Sequence, residues 1–361
     1  MKEITITLSP LHPFFLFIPH PSSLIPHPSE ALTAFDCNSM MALGIMIKKL
    51  LLFSLFALSF QSGLGDCRNA KGQNGKKEQT QTSETKSNTN SGMADTDGKK
   101  QTKKFLFYDV LNATLTKRGI KIETVCDTND SVSRRIMEEY GALYLASEKV
   151  RVPPVCMFRS EQEVQSFQNQ VSPKSSKVGG ITIELQTAAM DALIAAREEA
   201  KQAGLKITPR GGDAARRTYY DTLKLWDSRF QPALNYWKSK GKLSAQDVSH
   251  LRSLSIKEQV REVLALEKRG IYFSTNFSKS ILYSVAAPGT SQHLSMLALD
   301  VVEYGNKRVR EILARHGWFQ TVKSDQPHFT YLGVNETELM SLGLRSVTVG
   351  GQVFWIPNVG Q

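Results

Sequence analysis

Two short segments hold the residues whose types and spacing suit chemistry: "SQHLSMLALD", Ser291 to Asp300, and "DQPHFTYLG", Asp325 to Gly333. The first carries His293 and Asp300 among apolar and small residues, and the second places Asp325 three positions before His328. Of the seven histidines, His12, His20 and His27 precede a signal-like segment, and His250 falls in a charged helical stretch. His316 sits where a helix C-terminus favours a cation. His293 and His328 remain, each expected at the edge of a strand. A catalytic zinc commonly takes three protein ligands and keeps its fourth position for water. His293, Asp300 and His328 supply such a set, on two strands that could neighbour one another in an antiparallel sheet. Zn2+ held there would lower the pKa of its water to about 7 and polarise a substrate carbonyl. Asp325 is the candidate to take the water's proton, since Pro327 argues for a loop or bulge that frees it to turn toward the metal. Seven residues of extended strand would span roughly 23 Å. The first segment must therefore bend around Leu294 to Leu297 to bring Asp300 back to His293.

"SQHLSMLALD" resembles the S-x-H-x-x-G-x-A-x-D signature of zinc-dependent D-alanyl-D-alanine carboxypeptidases, with Ser291, His293, Ala298 and Asp300 in place. "DQPHFTYLG" resembles the E-x-W-H segment of the same family, with His328 as the last ligand. The resemblance covers residues 181 to 335 or thereabouts. It implies a Zn2+ cofactor and removal of a terminal D-amino acid from peptidoglycan stem peptides. "ARRTYYDT" resembles, more loosely, the family's Y-R-S segment, which implies that Arg217, followed by Thr218, holds the substrate's terminal carboxylate. Arg210 in "PRGG" competes for that role, and a bidentate guanidinium suits a carboxylate better than Lys would. Arg216 is expected on a solvated helix face. Ser291 is placed to bond the substrate or to orient a ligand.

Three positions depart from the family pattern. Met296 replaces Gly, and Pro327 replaces Trp, so an aromatic wall must come from elsewhere, with Phe329 and Trp318 as candidates. Asp325 replaces Glu and is one methylene shorter, in a role sensitive to placement. The same metal chemistry would serve an L,D-carboxypeptidase or an endopeptidase, which a carboxylate-binding arginine beyond the scissile bond would distinguish. A catalytically weakened zinc-containing cell-wall binding module, as hedgehog-like relatives of the fold suggest, is a reading of another class. A domain without metal, with both histidines in its core, is the plainest one.

The elements that must position these residues follow from periodicity. "SVSRRIMEEYGALYLA" predicts a short helix ending at Gly141 and then a strand, and "PPVCMF" another strand, which with a polar segment make a small α/β preamble over 105–180. Residues 181–361 form the predicted zinc peptidase domain. Its first helix has Leu185, Ala189, Leu193 and Ala196 at helical spacing, and the strand "LKIT" follows. Next, a Gly-rich turn leads into a helix with Tyr220, Leu223 and Trp226 spaced for a core. Residues 241–269 read as further helix, an insertion or lid. "KSILYSVAAPGTSQHLSMLALDVVEY" reads as strand, turn and strand, "NKRVREILARHG" as a helix capped by Asn306, and the remainder as short strands. Together these predict an α+β fold with helices packed on a small, mainly antiparallel sheet carrying the zinc site.

Upstream of the globular pattern, "MIKKLLLFSLFALSFQSGLGDC", Met46 to Cys67, reads as a secretory signal peptide, too short for a comfortable membrane span. The Pro-rich extension 1–45 is then expected to be non-native or disordered, with translation starting at Met46, Met41 or Met40. Cys67 suits lipid attachment and a membrane tether, although Asp66 departs from the small residue expected before it, and ordinary cleavage fits equally. Residues 68–104 contain no Leu, Ile, Val or aromatic residue and predict a disordered linker. The formal net charge is +11, of which that linker holds a surplus of five. No aromatic and basic interleaving of the kind used on single-stranded nucleic acid stands out. The expected setting is periplasmic or cell-envelope, with peptidoglycan peptides as partners and no nucleic acid. Among the four cysteines, Cys37, Cys67, Cys126 and Cys156, there is no C-x-x-C pair, so a metal site must use His and carboxylate. Outside the cytoplasm Cys126 and Cys156 could form a disulfide.

Overall fold

The computed structural model describes residues 105–360, which lie in one compact unit. The N-terminal extension, the signal-like segment, Cys67 and the polar linker lie outside the described residues. No helix among the described residues is long and apolar enough to cross a membrane.

The described residues open with helices α1 (Phe107–Lys117), α2 (Ile122–Val125), α3 (Ser131–Tyr140) and α4 (Glu161–Gln170). A hairpin of β1 (Pro173–Val178) and β2 (Ile181–Gln186) turns at Gly179 and Gly180, both at positive φ, and runs into α5 (Thr187–Gln202). Three helices follow: α6 (Tyr219–Ser239), α7 (Ala245–Ser253) and α8 (Ile256–Lys268). After a long irregular stretch come β3 (Ala298–Asp300), α9 (Lys307–Arg315), β4 (Trp318–Phe319) and β5 (His328–Tyr331). A hairpin of β6 (Leu344–Val349) and β7 (Gln352–Pro357) closes the described chain. The fold is α+β, and its central sheet is antiparallel with strand order β3-β5-β4. Asn306 caps α9 by accepting from the backbone of Arg308 and Val309, as its sequence predicts.

Two main cores support the sheet and the helices. The first joins Phe107 and Leu111 of α1 to Leu185, Leu193, Leu299, Trp318 and Phe329. The line drawn at 180/181 thus falls in the turn of the β1–β2 hairpin, with apolar residues from both sides in one core. The second core gathers Trp226 and Phe230 of α6, Val248, Val260 and Phe273. Trp226, Phe230 and Phe273 stack in succession, with ring centroids 6.3 and 5.9 Å apart. Helix α3 takes part in both, since Met137 belongs to the first core and Ile136 and Tyr140 to the second.

Several short apolar runs adopt other states than their sequence predicts. Gly141–Leu145 is a 3-10 turn, not a strand, and so is Ile281–Tyr283. "PPVCMF" forms bends, pinned where Cys156 pairs with Cys126 in a disulfide and donates its N–H to Val125 O. "LKIT", residues 205–208, forms no strand: Thr208 gives its N–H to the Glu303 carboxylate, and the bridge to Val301 is made by the next residue, Pro209. Leu185 belongs to β2, since α5 begins at Thr187. The buried stripe of α6 is Tyr219, Thr222, Trp226 and Phe230, while Tyr220 is 65% exposed.

Asp130 fixes α3, which carries Tyr140 toward the site. It caps the helix by accepting from Ser133 N and is paired with Lys257 at 3.0 Å and Arg261 at 3.1 Å on α8. Burial opposes its ionisation, but Lys257, Ser133 and Arg261 together hold its carboxyl well below the usual range. Asp130→Ala should lower unfolding free energy in urea by about 1–2 kcal/mol. Because the folded pKa is depressed, this contribution is complete above about pH 4 and fades as pH falls further, so the two proteins should converge in acid.

Candidate metal centre

The sheet register brings the first two groups together. Asp300 on β3 lies directly opposite His328 on β5, and directly opposed residues of antiparallel strands present their side chains to the same face. His293 arrives differently. It sits in a 3-10 turn, Gln292–Ser295, rather than at a strand edge, and the chain then reverses at Met296 with φ 59° and ψ 28°. This left-handed conformation costs a non-glycine residue about 1–2 kcal/mol, which explains the fit of Gly at such a position. Here the cost is offset by burial of the whole Met296 side chain in a cluster with Phe158, Phe167 and Leu294. The bend expected between Leu294 and Leu297 is thus present, and it returns Asp300 to His293.

Three ligand atoms converge. His293 Nε2 is 3.1 Å from His328 Nδ1 and 3.3 Å from Asp300 Oδ1, and His328 Nδ1 is 3.2 Å from the same oxygen. Ligands bound to zinc at about 2.0–2.1 Å in a tetrahedron stand about 3.3 Å from one another. The protons of the two imidazoles are directed away from this point. His293 Nδ1 faces Ala215 O at 2.8 Å, an acceptor only, so neutral His293 bears its proton there. His328 Nε2 faces Gln292 Oε1 at 2.8 Å, and Gln292 is oriented by donation from its Nε2 to Tyr140 O at 2.7 Å. Both inward nitrogens are therefore bare, and three lone pairs meet with no proton between them. Burial pushes the His293 pKa down despite the Asp300 charge, which favours the neutral imidazole. Burial also works against the Asp300 carboxylate, whose Oδ2 accepts from Arg217 Nη2 at 2.8 Å. This donor set fits a zinc-like cation.

The segment 210–217 straps the ligands from outside. Asp300 N donates to Ala214 O at 2.8 Å, Arg210 N donates to Asp300 O at 3.0 Å, and Ala215 O holds His293. Arg217 reaches the site, but its guanidinium is engaged: Nη2 donates to Asp300 Oδ2 at 2.8 Å and Nε to Asp213 O at 3.0 Å. Arg210 is exposed at the cleft mouth. Arg216 is not on a solvated helix face, as expected, because α6 starts only after Thr218, which caps it in a reciprocal box with Asp221. Its guanidinium binds Glu184 at 2.5 Å and Gln168 at 2.8 Å.

The ligands line a cleft of about 240 Å³ together with Ser291, Asp325 and the three residues Tyr140, Tyr283 and Arg229. Asp325 occupies a turn in which His328 N donates to Asp325 O at 3.3 Å, and Pro327 lies inside that turn rather than in the strand. Phe329 and Trp318 are buried in the first core and do not line the cleft. Tyr140 and Tyr283 supply its aromatic wall. Burial pushes the Tyr140 phenol well above its usual value, and the Glu139 and Asp325 carboxylates add to this. Sequence reasoning missed Gln292, the Ala215 carbonyl, Arg229 and both tyrosines. Only Gln292, beside a candidate ligand, carried a local signal.

Gln292→Leu should remove the acceptor for His328 and weaken zinc binding by about 10–100-fold, measured by chelator competition. Gln292→Glu should preserve it. Equal affinity in the leucine variant would show that Gln292 does not orient the ligand.

No family model matches this sequence, and no curated protein matches it. Among solved structures it is similar to a mutant of the vancomycin-resistance D,D-pentapeptidase VanY, from the VanB-type cassette, in complex with Zn(II). The identity is 16%, covering 48% of this chain and 84% of that one, with a TM-score of 0.28. It is also similar to VanYB in complex with D-alanine-D-alanine, at 17% identity over 48% of this chain and 86% of that one, with a TM-score of 0.30.

Proposed function

We propose that this chain is an exported zinc peptidase of the cell envelope that removes a terminal D-amino acid from peptidoglycan stem peptides. The observation that carries the reading is the convergence of three bare ligand atoms, from His293, Asp300 and His328, in a cleft that also presents Asp325. Zinc bound there supplies Lewis acidity toward the scissile carbonyl and a water that ionises near neutral pH. Asp325 would accept a proton from the attacking water and pass it to the leaving amine. Arg217 holds the second oxygen of Asp300 and so keeps the first turned toward His293 and His328. Ser291 and Arg210 bind the peptide at the cleft wall and mouth. An arginine-lined cleft suits an anionic peptide end, which favours a carboxypeptidase over an endopeptidase.

Export is supported by the signal-like sequence Met46 to Cys67 and by the Cys126–Cys156 disulfide, a bond that persists in oxidising compartments. Lipid attachment at Cys67 would tether the protein to the membrane through the polar linker. A second reading, a zinc-containing cell-wall binding module with weakened turnover, is favoured by the short Asp325 side chain at the base position.

Purified protein should contain about one zinc per chain, set by one three-ligand site. It should release a terminal D-alanine from muramyl pentapeptide, followed by mass spectrometry. His293→Ala should lose the zinc. Asp325→Asn should keep it while kcat falls roughly 10²–10⁴-fold. Zinc without product, together with activity gained on Asp325→Glu, would select the binding module, and protein without zinc would end both readings.

A further inference from the structure

We infer that Arg229, on the helical wall of the cleft, is the residue that reads a carboxylate of the bound peptide; this rests on the peptidase reading above. Three arginines line the cleft: Arg210, Arg217 and Arg229. Arg217 already holds Asp300 through Nη2 and the Asp213 carbonyl through Nε, so part of its charge is taken up by a carboxylate of the site. Arg210 is exposed on the mouth, where solvent screens an ion pair.

Arg229 differs from both. Thr222, Leu225 and Arg229 recur at i, i+3 and i+7 on α6 and together line the cleft, so one stripe of the helix faces it. At one end of that stripe, the Thr222 hydroxyl accepts from Gly289 N at 3.2 Å, two residues before Ser291. Seven residues of helix then carry the wall about 10 Å further to Arg229. No carboxylate is paired with Arg229 among the described residues, and its one hydrogen bond is from Nη1 to Ser228 Oγ at 2.8 Å. Its Nε is buried and has no partner. A buried donor without an acceptor is costly, and a planar cation in this state is matched by an anion with two oxygens. The cleft lining also includes the apolar Leu225, Val285 and Ala286. The carboxylate belongs either to the peptide's C-terminus or to an acidic residue upstream of the scissile bond.

The test is calorimetric titration of the full zinc-loaded chain in an Asp325→Asn background, which holds turnover down, with and without Arg229→Gln. Three probes separate the sources: a pentapeptide ending in D-alanyl-D-alanine with a glutamyl carboxylate upstream, its C-terminal amide, and the form with that glutamyl group amidated. Arg229→Gln should weaken binding of the first at least tenfold while leaving zinc content and thermal midpoint unchanged, and Arg229→Lys should recover part of the loss. The probe whose affinity no longer responds to the substitution identifies the carboxylate. Equal weakening of all three probes, or of none, overturns the inference. So does absence of binding by any of them. Cleavage by the protein with Asp325 intact is scored separately: binding that depends on Arg229 without cleavage would retain the inference and reject the peptidase reading.

Discussion

The carbonyl oxygen of Ala215 decides which nitrogen of His293 carries the proton, and the site depends on that decision. A carbonyl can only accept, so the neutral ring must turn its bare nitrogen inward. Gln292 does the same for His328, and its own orientation is set by the Tyr140 carbonyl. Once both protons are directed outward, the Asp300 oxygen adds a third lone pair at 3.2–3.3 Å, and the three repel unless a cation lies between them. Arg217 completes the set by binding the oxygen of Asp300 that points away. The proton placement of the centre thus comes from a backbone carbonyl and an amide, and its counter-charge from a guanidinium, none of which is one of the three candidate ligands.

These acceptors stay in place because the surrounding backbone cannot easily shift. The strap 210–217 is fastened to β3 by two backbone hydrogen bonds to Asp300. Gln292 lies in the 3-10 turn that Met296 closes in a left-handed conformation. That conformation is unfavourable for methionine by itself, yet the side chain is fully buried and resists release. The sheet beneath needs only the pairing of Asp300 with His328 to bring the remaining two ligands side by side.

Much of this was legible in the sequence because it is carried by residue type and spacing. Two histidines lacked any other explanation, the stretch between His293 and Asp300 had to bend, and Asn306 marked a helix start that the structure keeps. The α+β class followed from helices succeeded by short strands. The rest depends on partners remote in the chain. Arg216 read as solvated because Glu184 and Gln168 are more than thirty residues away. Nothing local in Arg217 announces its bond to Asp300, eighty-three residues later. Short apolar runs such as "SILY" and "GALYL" have too few residues for their period to separate a strand from a 3-10 turn. The Glu303 carboxylate that takes the Thr208 N–H lies ninety-five residues from "LKIT" and has no local signal there.

Asp300 and His328 rest on the first core through β3 and β5, and His293 rests on a turn whose Leu294 and Met296 pack with Tyr219 of α6. The stretch of α6 that carries Arg229 packs into the second core through Trp226 and Phe230, the core that also holds Tyr140. The two walls of the cleft are therefore mechanically joined. A substitution that repacks the aromatic stack of the second core would be felt at the candidate ligands as well as at the arginine wall.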